Sequence, residues 1–407
     1  MNKKILRLGS DQGGTPWGLD INSLTTHLTI TGMTGSGKTG VVLGLCEELI
    51  RNHVPSIILD IKGDMPNIFL QQDSTLEAMI EPKILTPGSD HGDPVNVASS
   101  LRDPHKITKS VTSLLDLVGV QSDPIRSRPH TFLSAILEDR HKKNQSCQLI
   151  DIIFAVQDPP FEHIGAMELE EVMSTAARKN LAAKLNNVLV APSFKHWRAG
   201  KVLDIDSLIK PSHPSKTPVI VYSVAHLTGD DERTFAINLL LEELVSWMRQ
   251  QNGANALQLT FVVDECYGLM PPRGGGDTKN ALLTLLKQGR ASGLGVILAT
   301  QNPMDLDYKG MSNCGTWIVG RLQTANDRKR LVEGICSSVR TMDKASLEGK
   351  IGSLKPRQFL VAKGSKLIPF YSRTVSSTLK GPMNKYEIAN LMPKQQSWTA
   401  KLMQFWK

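Results

Sequence analysis

The stretch Gly32-Met33-Thr34-Gly35-Ser36-Gly37-Lys38-Thr39 restricts what this chain can fold into more than any other. It satisfies G-x-x-x-x-G-K-[ST]. It lies between an apolar run, "HLTITG" (27–32), and a segment with apolar residues at helical spacing, "VVLGLCEELIRNH" (41–53). Glycines at the mouth of a helix let successive backbone N–H groups turn toward one point, a nest for phosphate oxygens. Lys38 is placed to reach the β- and γ-phosphates, and the Thr39 hydroxyl to bind Mg²⁺. The candidate phosphate-binding set is Gly32, Thr34, Gly35, Ser36, Gly37, Lys38, Thr39 and Gly40. A second apolar strand, "PSIILDIKGD" (55–64), follows the helix. Strand, loop, helix and strand make the βαβ unit of a parallel α/β sheet.

The rest of the chain sorts around that unit. Residues 1–99 form the first part of an α/β core. Residues 100–215 carry helical segments such as "ITKSVTSLLDLVGV" and "TAARKNLAAKLNNVLV" with few strand runs between them, which reads as a helical insertion. The core resumes over 216–380, with strands at "PVIVYSVAHL" (218–227), "LQLTFVVDE" (257–265), "LGVILATQNP" (294–303) and "TWIVGRLQT" (316–324). "RQFLVAK" and "LIPFYSRTV" close it. Residues 381–407 are a tail in which "WTAKLMQFWK" can form an amphipathic helix.

The C-terminal ends of these strands carry the chemistry, because ligands of open α/β sheets sit there. "LTFVV" ends in Asp264-Glu265. Asp264 is the candidate Mg²⁺ ligand beside Thr39, and Glu265 the group that orients and deprotonates an attacking water. "VILAT" ends in Gln301, which can hydrogen-bond a γ-phosphate or that water. Arg321 is read inside the apolar strand "WIVGRLQT", an expensive place for a guanidinium unless an anion meets it. It is the first candidate for an arginine finger serving a neighbouring subunit, and Arg290, before "ASGLG", is the second. Either arginine can equally be a structural ion pair. In "DIKGD", Asp60 or Asp64 can position water or metal, or the segment is a solvated turn. The loop "PPRGGGDTKN" (271–280) reads as mobile and basic through Arg273 and Lys279, either a phosphate-backbone contact or a plain connection.

Charge narrows the partners. From Arg321 to Lys407 there are 17 Lys and Arg against 5 Asp and Glu, whereas the remainder carries 30 against 34. A basic C-terminal region beside a mildly acidic body points to a polyanion, or to a solvated lysine-rich surface. Five scattered cysteines without C-x-x-C spacing fit a reducing cytoplasm, and exclude a disulfide framework and a zinc site. No apolar run approaches the ~18–20 residues of a membrane span. "MNKKILRLGSDQGG" does not read as a signal peptide.

Taken together, "HLTITGMTGSGKTG", "ILDIKGDM", "VVDECYGLMPP", the run from Leu282 to Thr324 and "DRKRLVEGI" resemble the HerA-like ATPases of the HerA–FtsK superfamily. The likeness is greatest to a bacterial branch of HerA-like ATP-binding proteins and reaches into the insertion ("LTPGSDHGDPVNV", "VQDPPFEHIG", "SFKHWRAG"). It implies a RecA-like P-loop core with a mostly parallel sheet, a homo-oligomer of hexameric type, and ATP hydrolysis with Mg²⁺ between subunits. It also implies pumping or unwinding of double-stranded DNA. The resemblance assigns Lys38 and Thr39 to Walker A, Asp264 and Glu265 to Walker B, Gln301 to the sensor and Arg321 to the finger. Typical family members carry a small β-barrel before the core, whereas 31 residues precede Gly32 here. The expectation is an ATP-dependent DNA translocase or helicase-like ring with no membrane association. The alternative is a regulatory or scaffold ATPase that controls a nuclease or other effector in antiviral defence.

Overall fold

The computed structural model describes residues 4–96, 101, 106–120, 123–191, 195–198, 200–303, 307–322, 324–338 and 343–391. Thirteen strands are β1 (Ile5–Ser10), β2 (Pro16–Asp20), β3 (Leu28–Thr31), β4 (Ser56–Asp60), β5 (Ile80–Leu85), β6 (His163–Ile164), β7 (Met167–Glu168), β8 (Thr217–Ser223), β9 (Leu259–Asp264), β10 (Leu294–Thr300), β11 (Thr316–Val319), β12 (Gln358–Lys363) and β13 (Lys366–Ser372). Eleven of them form one sheet in the order β2-β1-β13-β12-β11-β3-β10-β9-β4-β8-β5. From β11 to β8 neighbouring strands pair parallel, while β11–β12, β12–β13, β13–β1 and β1–β2 are antiparallel. The mostly parallel α/β core expected from the sequence is the fold observed.

The parallel strands read as continuous apolar runs because both faces are covered. Every residue of β3, β4, β9, β10 and β11 is buried. The helix α1 (Lys38–Arg51) packs Val42, Leu45, Cys46 and Leu49 into the same core as Ile30, Ile58, Val262 and Ile297. Its buried Glu47 is fully paired: Oε2 lies 2.7 Å from Arg373, and Oε1 accepts from the Ser376 and Ser377 N–H groups and the Ser377 hydroxyl.

The chain divides into two compact units. One holds residues 1–84, 205–225 and 244–407, and contains the nucleotide motifs. The other holds 85–204 and 226–243 and is built on helices at Ile107–Leu117, Arg128–Lys142, Leu149–Gln157 and Thr175–Val190. Its own core is Val111, Leu115, Phe132, Ile136, Val156 and Leu185. It is not wholly helical: β6 and β7 pair as a two-residue-a-side hairpin within "EHIGAME".

Several strands are shorter than their apolar runs. β4 stops at Asp60, where the chain turns at Gly63, and β11 stops at Val319. In the tail, Lys385–Leu391 is helical, and "WTAKLMQFWK" lies outside the described residues. Among the described residues, no helix is long and apolar enough to cross a membrane.

Candidate functional site

β3 lies between β10 and β11, so the loop that leaves its C-terminal end is flanked by the ends of both. That loop is tied on each side. The Gly32 N–H donates to the Thr300 carbonyl at 3.3 Å, and the Met33 N–H to the Arg321 carbonyl at 2.9 Å. Just before β12, the Arg357 N–H donates to the Ser36 carbonyl at 2.9 Å. Gly37, at φ 95°, caps α1 in the left-handed region where a side chain would be strained. The first-turn N–H groups of α1 follow directly, the arrangement that binds phosphate. Thr39 lies in that first turn, half-buried.

Lys38 is only 5% exposed, and an ammonium so buried requires anionic partners. Its Nζ is 3.4 Å from Glu265 Oε2 and 3.7 Å from Asp264 Oδ1. β9 brings both carboxylates here because it pairs in register with β4 and β10, setting Asp264 opposite Asp60 and Ala299. Burial raises the Asp264 carboxyl above its usual range against the pull of Lys38. Its Oδ1 has no hydrogen-bond partner among the described residues. A buried carboxylate oxygen that no hydrogen-bond donor occupies is suited to a hard cation such as Mg²⁺.

Glu265 has an unusual backbone, at φ 68°. A non-glycine residue there is strained, and such strain concentrates at functional sites. Its side chain is held at four points. Oε1 accepts from the Thr300 hydroxyl at 3.2 Å and the Gln301 N–H at 3.3 Å, while Oε2 meets Lys62 at 2.8 Å and Lys38 at 3.4 Å. Burial alone would raise this carboxyl, but Lys38, Lys62 and the Gln301 N–H together hold it below its usual range. The Gln301 side chain reaches the loop itself: its Oε1 accepts from the Thr34 hydroxyl at 2.7 Å.

Asp60 and Asp64 have different surroundings. Asp60 is buried and caps its own turn, accepting from the Gly63 N–H at 2.8 Å and the Ser223 hydroxyl at 2.9 Å. Burial pushes its carboxyl up to about 6. Asp64 is half-buried, and its Oδ1 has no hydrogen-bond partner among the described residues.

The remaining sequence expectations fare differently. Arg321 is not inside a strand. β11 ends two residues earlier, at Val319, opposite Thr31, where its partner β3 ends. The side chain of Arg321 is exposed, so burial is no argument for its role, although its place beside the phosphate loop is. Arg290 sits in the turn Gly289–Ser292 before β10, at the sheet edge opposite that loop, and is exposed. Of the loop expected over 271–280, residues from Gly276 onward are the first turns of a helix (Gly276–Gln288), and Lys279 in it folds back, donating to the Pro271 carbonyl at 2.7 Å and pairing with Asp307 at 2.8 Å. Arg273 remains exposed. Sequence reasoning missed Lys62. It stood inside the "DIKGD" cluster, but only the lateral pairing of β4 with β9 brings it to Glu265.

Residues 6–190 match the family model described as the central domain of helicase HerA. A probable helicase of Methanocaldococcus jannaschii is 23% identical over 330 residues, covering 77% of this chain and 56% of that protein. The DNA double-strand break repair helicase HerA of Sulfurisphaera tokodaii is 21% identical over 325 residues, covering 77% and 58%. The chain thus spans little more than half the length of these relatives. Two solved structures share the fold. The plasmid coupling protein TrwB, in complex with a non-hydrolysable ATP analogue, has TM-score 0.62 at 14% identity, over 94% of this chain and 92% of that one. VirB4 of Thermoanaerobacter pseudethanolicus has TM-score 0.61 at 13% identity, over 92% and 98%.

Proposed function

We propose that the chain is a HerA-like P-loop ATPase of the HerA–FtsK superfamily, a ring-forming motor that hydrolyses ATP while moving on double-stranded DNA, a reading supported by its similarity to the HerA central domain and to HerA helicases. One observation carries the reading. Lys38, Asp264, Glu265 and Gln301, from three adjacent parallel strands and their loops, converge at one sheet edge around a helix N-terminus.

In this reading the N–H groups of residues 34–39 bind phosphate oxygens, and Lys38 reaches the β- and γ-phosphates. Thr39 and Asp264 hold Mg²⁺, which when bound neutralises charge on the phosphates. Glu265 accepts a proton from the attacking water, oriented through its contacts with Thr300 and Gln301. Gln301 exchanges its hydrogen bond from Thr34 for one with the γ-phosphate and so reports hydrolysis. Arg321, exposed beside the phosphate loop, completes the site of the next protomer in a hexamer, whereas Arg290, at the opposite sheet edge, is assigned no part in it. The DNA contact falls to the basic C-terminal region, and the compartment is the cytoplasm, in keeping with the scattered cysteines.

The test is ATP turnover with and without duplex DNA across a salt series. Stimulation by duplex that declines steeply with salt is expected of a motor, because phosphate contacts release counterions. Turnover indifferent to DNA and raised only by a nuclease or other effector protein would replace the motor with a regulatory ATPase.

A further inference from the structure

We infer that Lys62 is a positioning residue for the reaction, the fixed counter-ion that holds the Glu265 carboxylate in its working orientation. This rests on the reading of Glu265 as the group that activates water. The Lys62–Glu265 contact, at 2.8 Å, is shorter than the 3.4 Å between Glu265 and Lys38. The two cations also differ in their other duties. Lys38 belongs to the phosphate loop and is drawn to phosphate oxygens. Lys62 belongs to the turn after β4, where it leaves Glu265 Oε2 with a partner that the phosphates do not claim.

The fold delivers Lys62 to that place by register. Asp60 pairs with Asp264 across the parallel strands β4 and β9, so the residues just beyond each strand end lie side by side. The turn that carries Lys62 is pinned. Gly63, at φ 90°, donates its N–H to Asp60 Oδ1 at 2.8 Å and accepts from the Met383 N–H at 3.0 Å. Asp60 in turn accepts the Val224 N–H on its carbonyl at 2.9 Å. Glycine adopts this φ without the strain a side chain would bring, and the hydrogen bonds to Asp60 and Met383 hold the turn there.

The other end of the pair is equally constrained. Glu265 stands at a strained φ, and its Oε1 is held by Thr300 and Gln301. Oε2 is the oxygen left to face the reaction, and Lys62 governs it. An ordinary surface ion pair contributes little and can be deleted without consequence. Here Lys62 is 38% exposed but Glu265 only 10%, and the pair joins a pinned turn to a strained, largely buried carboxylate, so its deletion is expected to act on the chemical step.

The experiment compares Lys62→Met and Lys62→Arg in the full chain, alone and combined with Glu265→Gln. It measures kcat and KM for ATP, single-turnover rates, and the affinity for a fluorescent non-hydrolysable ATP analogue. Lys62→Met is expected to lower kcat by about 10- to 100-fold, the usual effect of losing a group that orients a reactive one. Analogue affinity should stay within about twofold, and Lys62→Arg should recover most of the rate. In the Glu265→Gln background, Lys62→Met should add no further loss. The inference is overturned if Lys62→Met keeps its kcat while Glu265→Gln loses turnover, or if the two losses multiply. It is also overturned if analogue affinity falls with kcat unchanged, which assigns Lys62 to phosphate binding. Wild-type turnover by Glu265→Gln would instead remove the parent reading, and this one with it.

Discussion

The parallel strands of this sheet end in two different ways. At the C-terminal edge, β3, β9 and β10 run into a glycine loop, a strained Glu265 and a buried Lys38 among carboxylates. At the N-terminal edge β10 and β11 begin in close packing. A Cβ on Gly295 would lie 2.9 Å from the Leu24 carbonyl oxygen, and one on Gly315 would lie 2.7 Å from the Thr26 hydroxyl. The ionisable group buried there, His27, is kept uncharged: its Nδ1 accepts the Val296 N–H at 3.1 Å, and burial lowers its pKa to about 4. One edge keeps charges that folding alone disfavours, and the other excludes them. The difference marks the first as the place of chemistry and the second as the anchor.

Substitutions at the two edges should therefore separate activity from stability. Among the largest effects is that of Lys38→Ala, which should lower kcat/KM for ATP by about 10³-fold, in the range of losing one electrostatic stabiliser of a transition state. A loss under tenfold in a steady-state assay would place the phosphates elsewhere.

His27 tests the opposite edge through pH. Its folded pKa lies below its unfolded value, so between about 6.5 and about 4 the unfolded chain binds the extra proton. Its stabilising contribution is thus complete above about 6.5 and lost as pH falls to about 4, a change of about 3 kcal/mol. Urea denaturation at pH 7 and pH 4.5 should show a smaller acid loss in His27→Asn than in the wild type. Equal losses would mean that His27 is not held neutral.

Gly315→Ala should destabilise by about 1–3 kcal/mol, as overpacking does, with turnover per folded molecule unchanged. A drop in kcat without a drop in melting temperature would erase the division between the edges. The smallest effect is expected of Arg290→Ala, less than about twofold on turnover, against about 10³-fold for Arg321→Ala if that side chain serves a neighbouring site. Turnover assays of both proteins, and of mixtures of Arg321→Ala with Glu265→Gln subunits, sharpen the comparison. Recovered activity in the mixture is expected of shared sites.

Legibility followed locality. The phosphate loop, the apolar strands β3, β4, β9 and β10, and the acidic pair at the end of β9 were readable because each is a short contiguous pattern. β1 and β2 were not: they are half-exposed strands, and β1 pairs with β13 at the far end of the described chain. The end of β11 was misread because "WIVGRLQT" continues to look like strand past Val319, where its partner β3 runs out. Lys62 shows the same limit within the site. Its residue type and its cluster are plain in the sequence, but its partner lies 203 residues away and is brought to it by sheet register.

The central claim is that a triphosphate is held at the C-terminal edge and cut with Glu265 taking the proton. Its most direct measurement is Glu265→Gln assayed for binding of a fluorescent non-hydrolysable ATP analogue and for phosphate release. Binding within about threefold of wild type, with turnover reduced by about 10²–10⁴-fold, is the expected result for loss of a general base. Unchanged phosphate release from the substituted protein would contradict the account.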